Sequence, residues 1–193
     1  MRNSKKVKGF TLVELIVVIA IIAILAAILV PNMLSYIKQS RYTQADANAK
    51  NIHTAATAAM AQAYVDGLLG ADDDAGAVKL SISDAIKGDK TATTFVAKVE
   101  VKVGEKTEKK DIPFPGLDPK SFDGQGKFAV DPKTFAVVSA AWVKDPASTA
   151  LDKWDGSVPT KEAQEENAAI IGYYPTPVSE GKKADTPAAP STP

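Results

Sequence analysis

The stretch that decides the fold is Lys8-Gly9-Phe10-Thr11-Leu12-Val13-Glu14, followed over residues 15–31 by LIVVIAIIAILAAILVP. Residues 15–30 are apolar without a break. Residues 10–30 make 21 positions, and as a helix rising ~1.5 Å per residue they reach roughly 31 Å, against about 30 Å for the hydrocarbon core of a bilayer. Upstream, residues 1–9 carry Arg2, Lys5, Lys6 and Lys8 and no acid. Such a basic flank keeps its end in the cytoplasm and sends the rest of the chain across. Two readings fit this much: a secretory signal peptide removed after its apolar stretch, and an uncleaved single-pass anchor. The run is long for the first, and no clean A-x-A site follows it. Neither accounts for Glu14, a lone carboxylate in an apolar run. Such a group costs roughly 2.5–3.5 kcal/mol on insertion scales and calls for a partner.

With those residues in view, the segment 5–31 resembles the type IV pilins and pseudopilins. A basic leader, Gly9-Phe10, a carboxylate four residues on and a long apolar run are that family's processing motif. The resemblance implies cleavage between Gly9 and Phe10 by a prepilin peptidase, and N-methylation of Phe10 by the same enzyme. It implies that Glu14 is the family's assembly glutamate and that Pro31 is its helix-distorting proline. Lys5, Lys6 and Lys8 then form the leader's basic flank. Physically, the cut creates an ammonium at Phe10, and opposite charges attract strongly where the dielectric is low. Four residues apart on one helix, Phe10 and Glu14 have the spacing to pair within a chain. The family's assembly scheme pairs them between neighbouring subunits instead. A third reading of Glu14 is a helix-start carboxylate favoured by the macrodipole.

Composition narrows the rest. The 193 residues leave room for one ordinary domain. Lys+Arg and Asp+Glu both number 23, and loss of the leader removes four basic residues and no acid, leaving −4 from side chains. That balance disfavours a nucleic-acid binder working by whole-surface electrostatics. There is no cysteine, which excludes a disulfide framework, thiol catalysis and cysteine-held metal. The single histidine, His53, excludes a His-rich metal site.

Beyond the anchor the helical pattern resumes. Pro31 cannot donate its N–H and is expected to kink or loosen the helix near Ala27. Leu34, Ile37, Ala45, Ala49, Ile52, Ala56, Met60 and Ala63 then form an amphipathic stripe, with Asp46 and Lys50 spaced for an i,i+4 ion pair. The expectation is one helix over residues 10–66, ended by Gly67 and Gly70 and roughly 85 Å long. His53, at the edge of the stripe, reads as an ordinary helix-surface histidine.

Residues 94–103 alternate as a strand, residues 104–110 read as a charged turn, and residues 127–130 and 135–143 read as a hairpin around Asp131-Pro132-Lys133-Thr134. Residues 146–159 read as a loop, 161–169 as a short helix and 170–174 as a further strand. The fold class expected is therefore α+β. A long N-terminal helix, apolar then amphipathic, packs against a small antiparallel sheet, which is the pilin fold the resemblance implies. The domain plan is leader 1–9, membrane or filament-core helix 10–30, amphipathic helix 31–66, β-rich head 67–179 and a disordered Pro/Ala/Thr tail 180–193. Trp142 and Trp154 read as a core aromatic and a loop plug.

No site of chemistry emerges. Asp72, Asp73 and Asp74 read as a solvated loop. Asp152 and Asp155 fall where some secretion pseudopilins hold calcium, but LDKWDG does not reproduce that loop. No metal, no cofactor and no catalytic residue is expected, and no P-loop, G-x-S-x-G or H-E-x-x-H occurs. The reading is a non-enzymatic filament subunit used for adhesion, motility or related surface functions. Its expected partners are copies of itself, a prepilin peptidase, an assembly platform with its ATPase, and the membrane. It starts as a single-pass precursor in the cytoplasmic membrane and ends in an extracellular pilus. The alternatives are a pseudopilin of a secretion or DNA-uptake machine and a monomeric membrane-anchored binding protein.

Overall fold

The structure, a computed structural model, describes residues 9–69, 81–84, 86–87, 91–92, 94–103, 106–114 and 116–179. Arg2, Lys5, Lys6, Lys8, Gly70, Asp72, Asp73, Asp74 and the tail 180–193 lie outside the described residues. The element order is α1 (Leu12–Val65), β1 (Ser81–Ile82), β2 (Ile86–Lys87), β3 (Phe95–Val103), β4 (Lys106–Phe114), β5 (Gln125–Val130), β6 (Val137–Val143), α2 (Lys161–Glu166) and β7 (Ile171–Tyr174). This is the α+β arrangement expected, a long N-terminal helix packed on antiparallel strands.

Helix α1 begins at Leu12, two residues later than the sequence pattern placed it, and passes through Pro31 without ending. It closes in a Schellman arrangement at the expected glycine. Gly67 sits at φ +71, its N–H donates to Tyr64 O (3.1 Å), and Leu68 N–H donates to Ala63 O (3.0 Å). The chain separates into two compact units, Met1–Ser40 and Arg41–Pro193. In the first, every residue from 9 to 40 is exposed except half-buried Ala26. Leu34 and Ile37, expected in the buried stripe, are therefore exposed, at 62 % and 37 %. The buried stripe starts further on and is wider, comprising Tyr42, Ala45, Ala49, Ile52, Ala55, Ala56, Ala59, Met60 and Ala63.

In the second unit this stripe meets a five-stranded antiparallel sheet of order β1-β5-β6-β7, with β2 also paired to β5. Alanines let the helix approach closely, and the sheet answers with glycine. A Cβ on Gly172 would lie 2.0 Å from the backbone carbonyl of Ala45, and one on Gly126 would lie 2.1 Å from Ile52 Cδ1. Phe114, Phe128, Ile52, Met60 and Ile112 fill the core between helix and strands. The other face of β6 and β7 carries a smaller core of Ala141, Val143, Leu151, Ile171 and Tyr173, against which Trp154 and Val158 pack. Trp142 is a core aromatic whose Nε1 donates to Asp123 O (2.9 Å), and Trp154 plugs the 145–157 loop with Nε1 donating to Ser157 O (2.7 Å).

The charged turn expected at 104–110 is instead mostly strand. Strands β3 and β4 form a separate two-stranded sheet in which Phe95 opposes Phe114 and Ala97 opposes Ile112. Its register sets Lys98 opposite Asp111, a position where opposite charges favour pairing. The expected single sheet is thus two sheets, and the expected helix over 161–169 stops at Glu166.

Candidate functional site

The segment that the sequence singles out is built around one helix start. Gly9 and Phe10 precede α1 in exposed, non-helical backbone, with Phe10 91 % exposed and nothing within 4 Å of where a Gly9 Cβ would stand. Thr11 caps the helix. Its hydroxyl and its backbone N–H both donate to Glu14 Oε2, at 2.7 and 2.8 Å, and Glu14 N–H donates back to Thr11 Oγ1 (3.3 Å). This is a capping box: a threonine at the cap and a glutamate at the third helical position satisfy each other's orphan groups. Of the three readings of Glu14, the helix-start reading describes its contacts here, and the carboxylate lies on Thr11 rather than on Phe10. Sequence reasoning passed over Thr11, although T-x-x-E ahead of an apolar run is a capping signature.

From Glu14 onward α1 presents apolar side chains to its surroundings on all faces. Leu15, Ile16, Val17, Val18 and Ile19 are each 50–61 % exposed. By length and composition this helix can cross a membrane, and its most apolar window is wholly unburied. Pro31 lies in this unit. Four residues earlier Ala27 O loses the usual amide donor, while Asn32 Nδ2 donates to Ile28 O (3.4 Å).

The second unit holds a polar cluster that sequence reasoning missed. Asp46 does not serve as an exposed pair for Lys50. Its Oδ1 turns to the sheet and accepts from Tyr173 N–H (2.9 Å) and Gln164 Nε2 (3.0 Å). Gln164 is itself buried, donates also to Ile171 O (2.7 Å), and its backbone O accepts from Tyr42 Oη (3.3 Å). Burial pushes the Asp46 carboxyl above the usual carboxylate range, against the opposing hydrogen bonds and the charge of Lys161. His53 is likewise half-buried rather than on the open surface. Its Nε2 lies 3.0 Å from Val137 O and its ring 4.5 Å from that of Tyr174, and burial lowers its pKa. These contacts tie α1 to the sheet.

Among the described residues no group of three or more His, Asp or Glu side chains is placed to hold a metal. Asp155 Oδ1 is taken up by Ser157 N–H (2.9 Å) and Ser157 Oγ (2.6 Å), which hold its carboxyl below the usual range, and Asp152 is exposed.

Comparison with known proteins agrees with this picture of the N-terminal segment. Residues 4–30 match the family described as "Prokaryotic N-terminal methylation motif". The chain is 44 % identical over 54 residues to "Type IV major pilin protein PilA" of Myxococcus xanthus, a match covering 28 % of this chain and 24 % of that protein. It is 60 % identical over 43 residues to "Type IV wide pilus major component PilA4" of Thermus thermophilus, covering 22 % and 30 %. It is 45 % identical over 56 residues to a "Fimbrial protein" of Pseudomonas aeruginosa, covering 29 % and 36 %. No solved structure matches. The class these findings define is the type IV pilins, structural rather than enzymatic proteins. This chain is similar to them through its N-terminal segment, and the matches span about a quarter to a third of the length of those relatives.

Proposed function

We propose that this chain is the structural subunit of a type IV pilus. The observation that supports it most is the methylation motif at residues 4–30 running directly into a helix whose apolar side chains are left uncovered within one chain. In this reading a prepilin peptidase removes residues 1–9 in the cytoplasmic membrane and methylates Phe10. An assembly platform with its ATPase then draws the subunit into a growing fibre. Identical subunits meeting head to tail through two different patches, without closure, generate an open helical polymer. The apolar halves of α1 bundle in its centre, and Glu14 exchanges its Thr11 donors for the Phe10 ammonium of a neighbour. The head faces outward, where adhesion or motility would act.

The test is to shear the host's cells, pellet the released material and weigh the intact chain. A chain lacking residues 1–9, carrying one methyl group and sitting in fibres supports the proposal. A chain confined to the membrane fraction refutes the filament and leaves a pseudopilin or an anchored binding protein.

A further inference from the structure

The second unit contains a groove of about 770 Å³ between α1 and the loop leading from β4 to β5, within the range of roughly 300–1,000 Å³ that small-ligand sites occupy. Its helical wall carries Gln44, Asn48 and Asn51. At ~1.5 Å per residue these three amides stand about 6 and 4.5 Å apart along the axis. Each offers two donors and an acceptor, and none of the three makes a side-chain hydrogen bond among the described residues. The rest of the lining includes Asp118 and the aromatic residues Phe122 and Trp142.

The chemistry of these walls selects the ligand. The groove's only described ion pair, Lys144 with Asp123 at 4.0 Å, offsets its own charge, so no cluster of cations awaits an anion. The walls hydrogen-bond along their length, which a lipid tail cannot use. Trp142, 5 % exposed, offers little apolar surface of its own to a peptide side chain. What remains is a neutral ligand that presents donors and acceptors together at intervals of about 5 Å over an apolar face, and that describes a sugar chain. We propose that this groove binds a neutral, linear oligosaccharide, with Gln44, Asn48 and Asn51 reading successive units and Asp118 accepting from a hydroxyl.

The inference does not depend on the filament reading, because the groove belongs to a single chain. The full chain, held in detergent micelles, is titrated calorimetrically with cellotetraose and with chitotetraose. Beside it runs the double variant Asn48→Ala/Asn51→Ala, whose alanines favour the helix and whose fold is checked by circular dichroism. Saturable binding of either sugar, weakened at least tenfold in the variant because two hydrogen-bonding side chains are lost at once, is the expected result. No binding of either sugar at millimolar concentration overturns the proposal, as does equal affinity in the variant.

Discussion

Gly172→Ala tests how the helix is seated on the sheet. The new Cβ would lie 2.0 Å from Ala45 C and O and 2.5 Å from Asp46 N, all backbone atoms that no rotamer change can move. Reaching the ordinary contact distance of 3.4 Å requires α1 and β7 to part by about 1.4 Å. Overpacking of this kind costs about 1–3 kcal/mol. The same displacement stretches the bonds that Asp46 accepts from Tyr173 N–H and Gln164 Nε2, now 2.9 and 3.0 Å, and a buried polar group left without its partner costs about 1–3 kcal/mol more. The expected loss is about 2–6 kcal/mol, a large share of the 5–15 kcal/mol typical of a domain. Urea unfolding of the full chain in micelles reads it through tryptophan fluorescence, since Trp142 and Trp154 both lie in the second unit. Gly126→Ala is the internal comparison. There the nearest atom is the tip of a side chain, Ile52 Cδ1 at 2.1 Å, so Ile52→Val, which deletes that atom, should recover part of the loss. A Gly172→Ala chain within about 1 kcal/mol of the parent, or an Ile52→Val change that adds its own cost of about 0.5–1.5 kcal/mol to Gly126→Ala without relief, would refute the close-approach argument.

Four further outcomes are expected. Glu14→Ala should permit cleavage but reduce assembly, and fibre counts equal to the parent's would defeat the role given to that carboxylate. Gly9→Val should leave an unprocessed precursor, checked by intact mass; a mature N-terminus at Phe10 would rule out the cleavage assignment. Thr11→Ala should cost about 1 kcal/mol of helix-start stability, read as faster amide exchange at Glu14 and Leu15, whose N–H groups donate to Thr11 Oγ1 and Thr11 O. Asp46→Asn concerns pH. The folded pKa of Asp46 is raised, so the fold binds its proton more readily than the unfolded chain does. Its contribution to stability therefore grows as pH falls through the raised pKa toward the ordinary value of about 3.9. His53, whose folded pKa is lowered, acts oppositely and removes stability as pH falls below about 6.5. Asn can still accept both hydrogen bonds, so the variant should match or exceed the parent at neutral pH and lose that advantage on acidification. A stability difference that stays constant with pH would contradict the assignment.

Much of the fold was legible because its signals are local. The apolar run, the alanine-rich stripe from Ala45 to Ala63, the alternation of residues 95–103 and the hairpin about Pro132 each declare themselves within a few residues. Strand β4 did not, because KTEKKDIPF carries only Ile112 and Phe114 as apolar inward positions and otherwise resembles a solvated turn. Strands β1 and β2, two residues each, are too short to show a period. Leu34 and Ile37 continue the helical pattern into a region that a single chain leaves uncovered. At the candidate site, Gly9, Phe10 and Glu14 were named through the family resemblance that their motif carries, and Thr11 was within reach through its spacing to Glu14. Asp46 was not. Its partner Tyr173 lies 127 residues away, and its local neighbour Lys50 offered a simpler pairing that the fold does not use.

The 145–157 loop is fastened to the sheet by side chains alone: Gln125 Nε2 donates to Ser148 O, and Ser139 Oγ donates to Gly156 O. With no cysteine in the sequence, nothing in this closure has to be oxidised or shuffled. The closure therefore takes the same form in a reducing or an oxidising medium, since no thiol chemistry enters it.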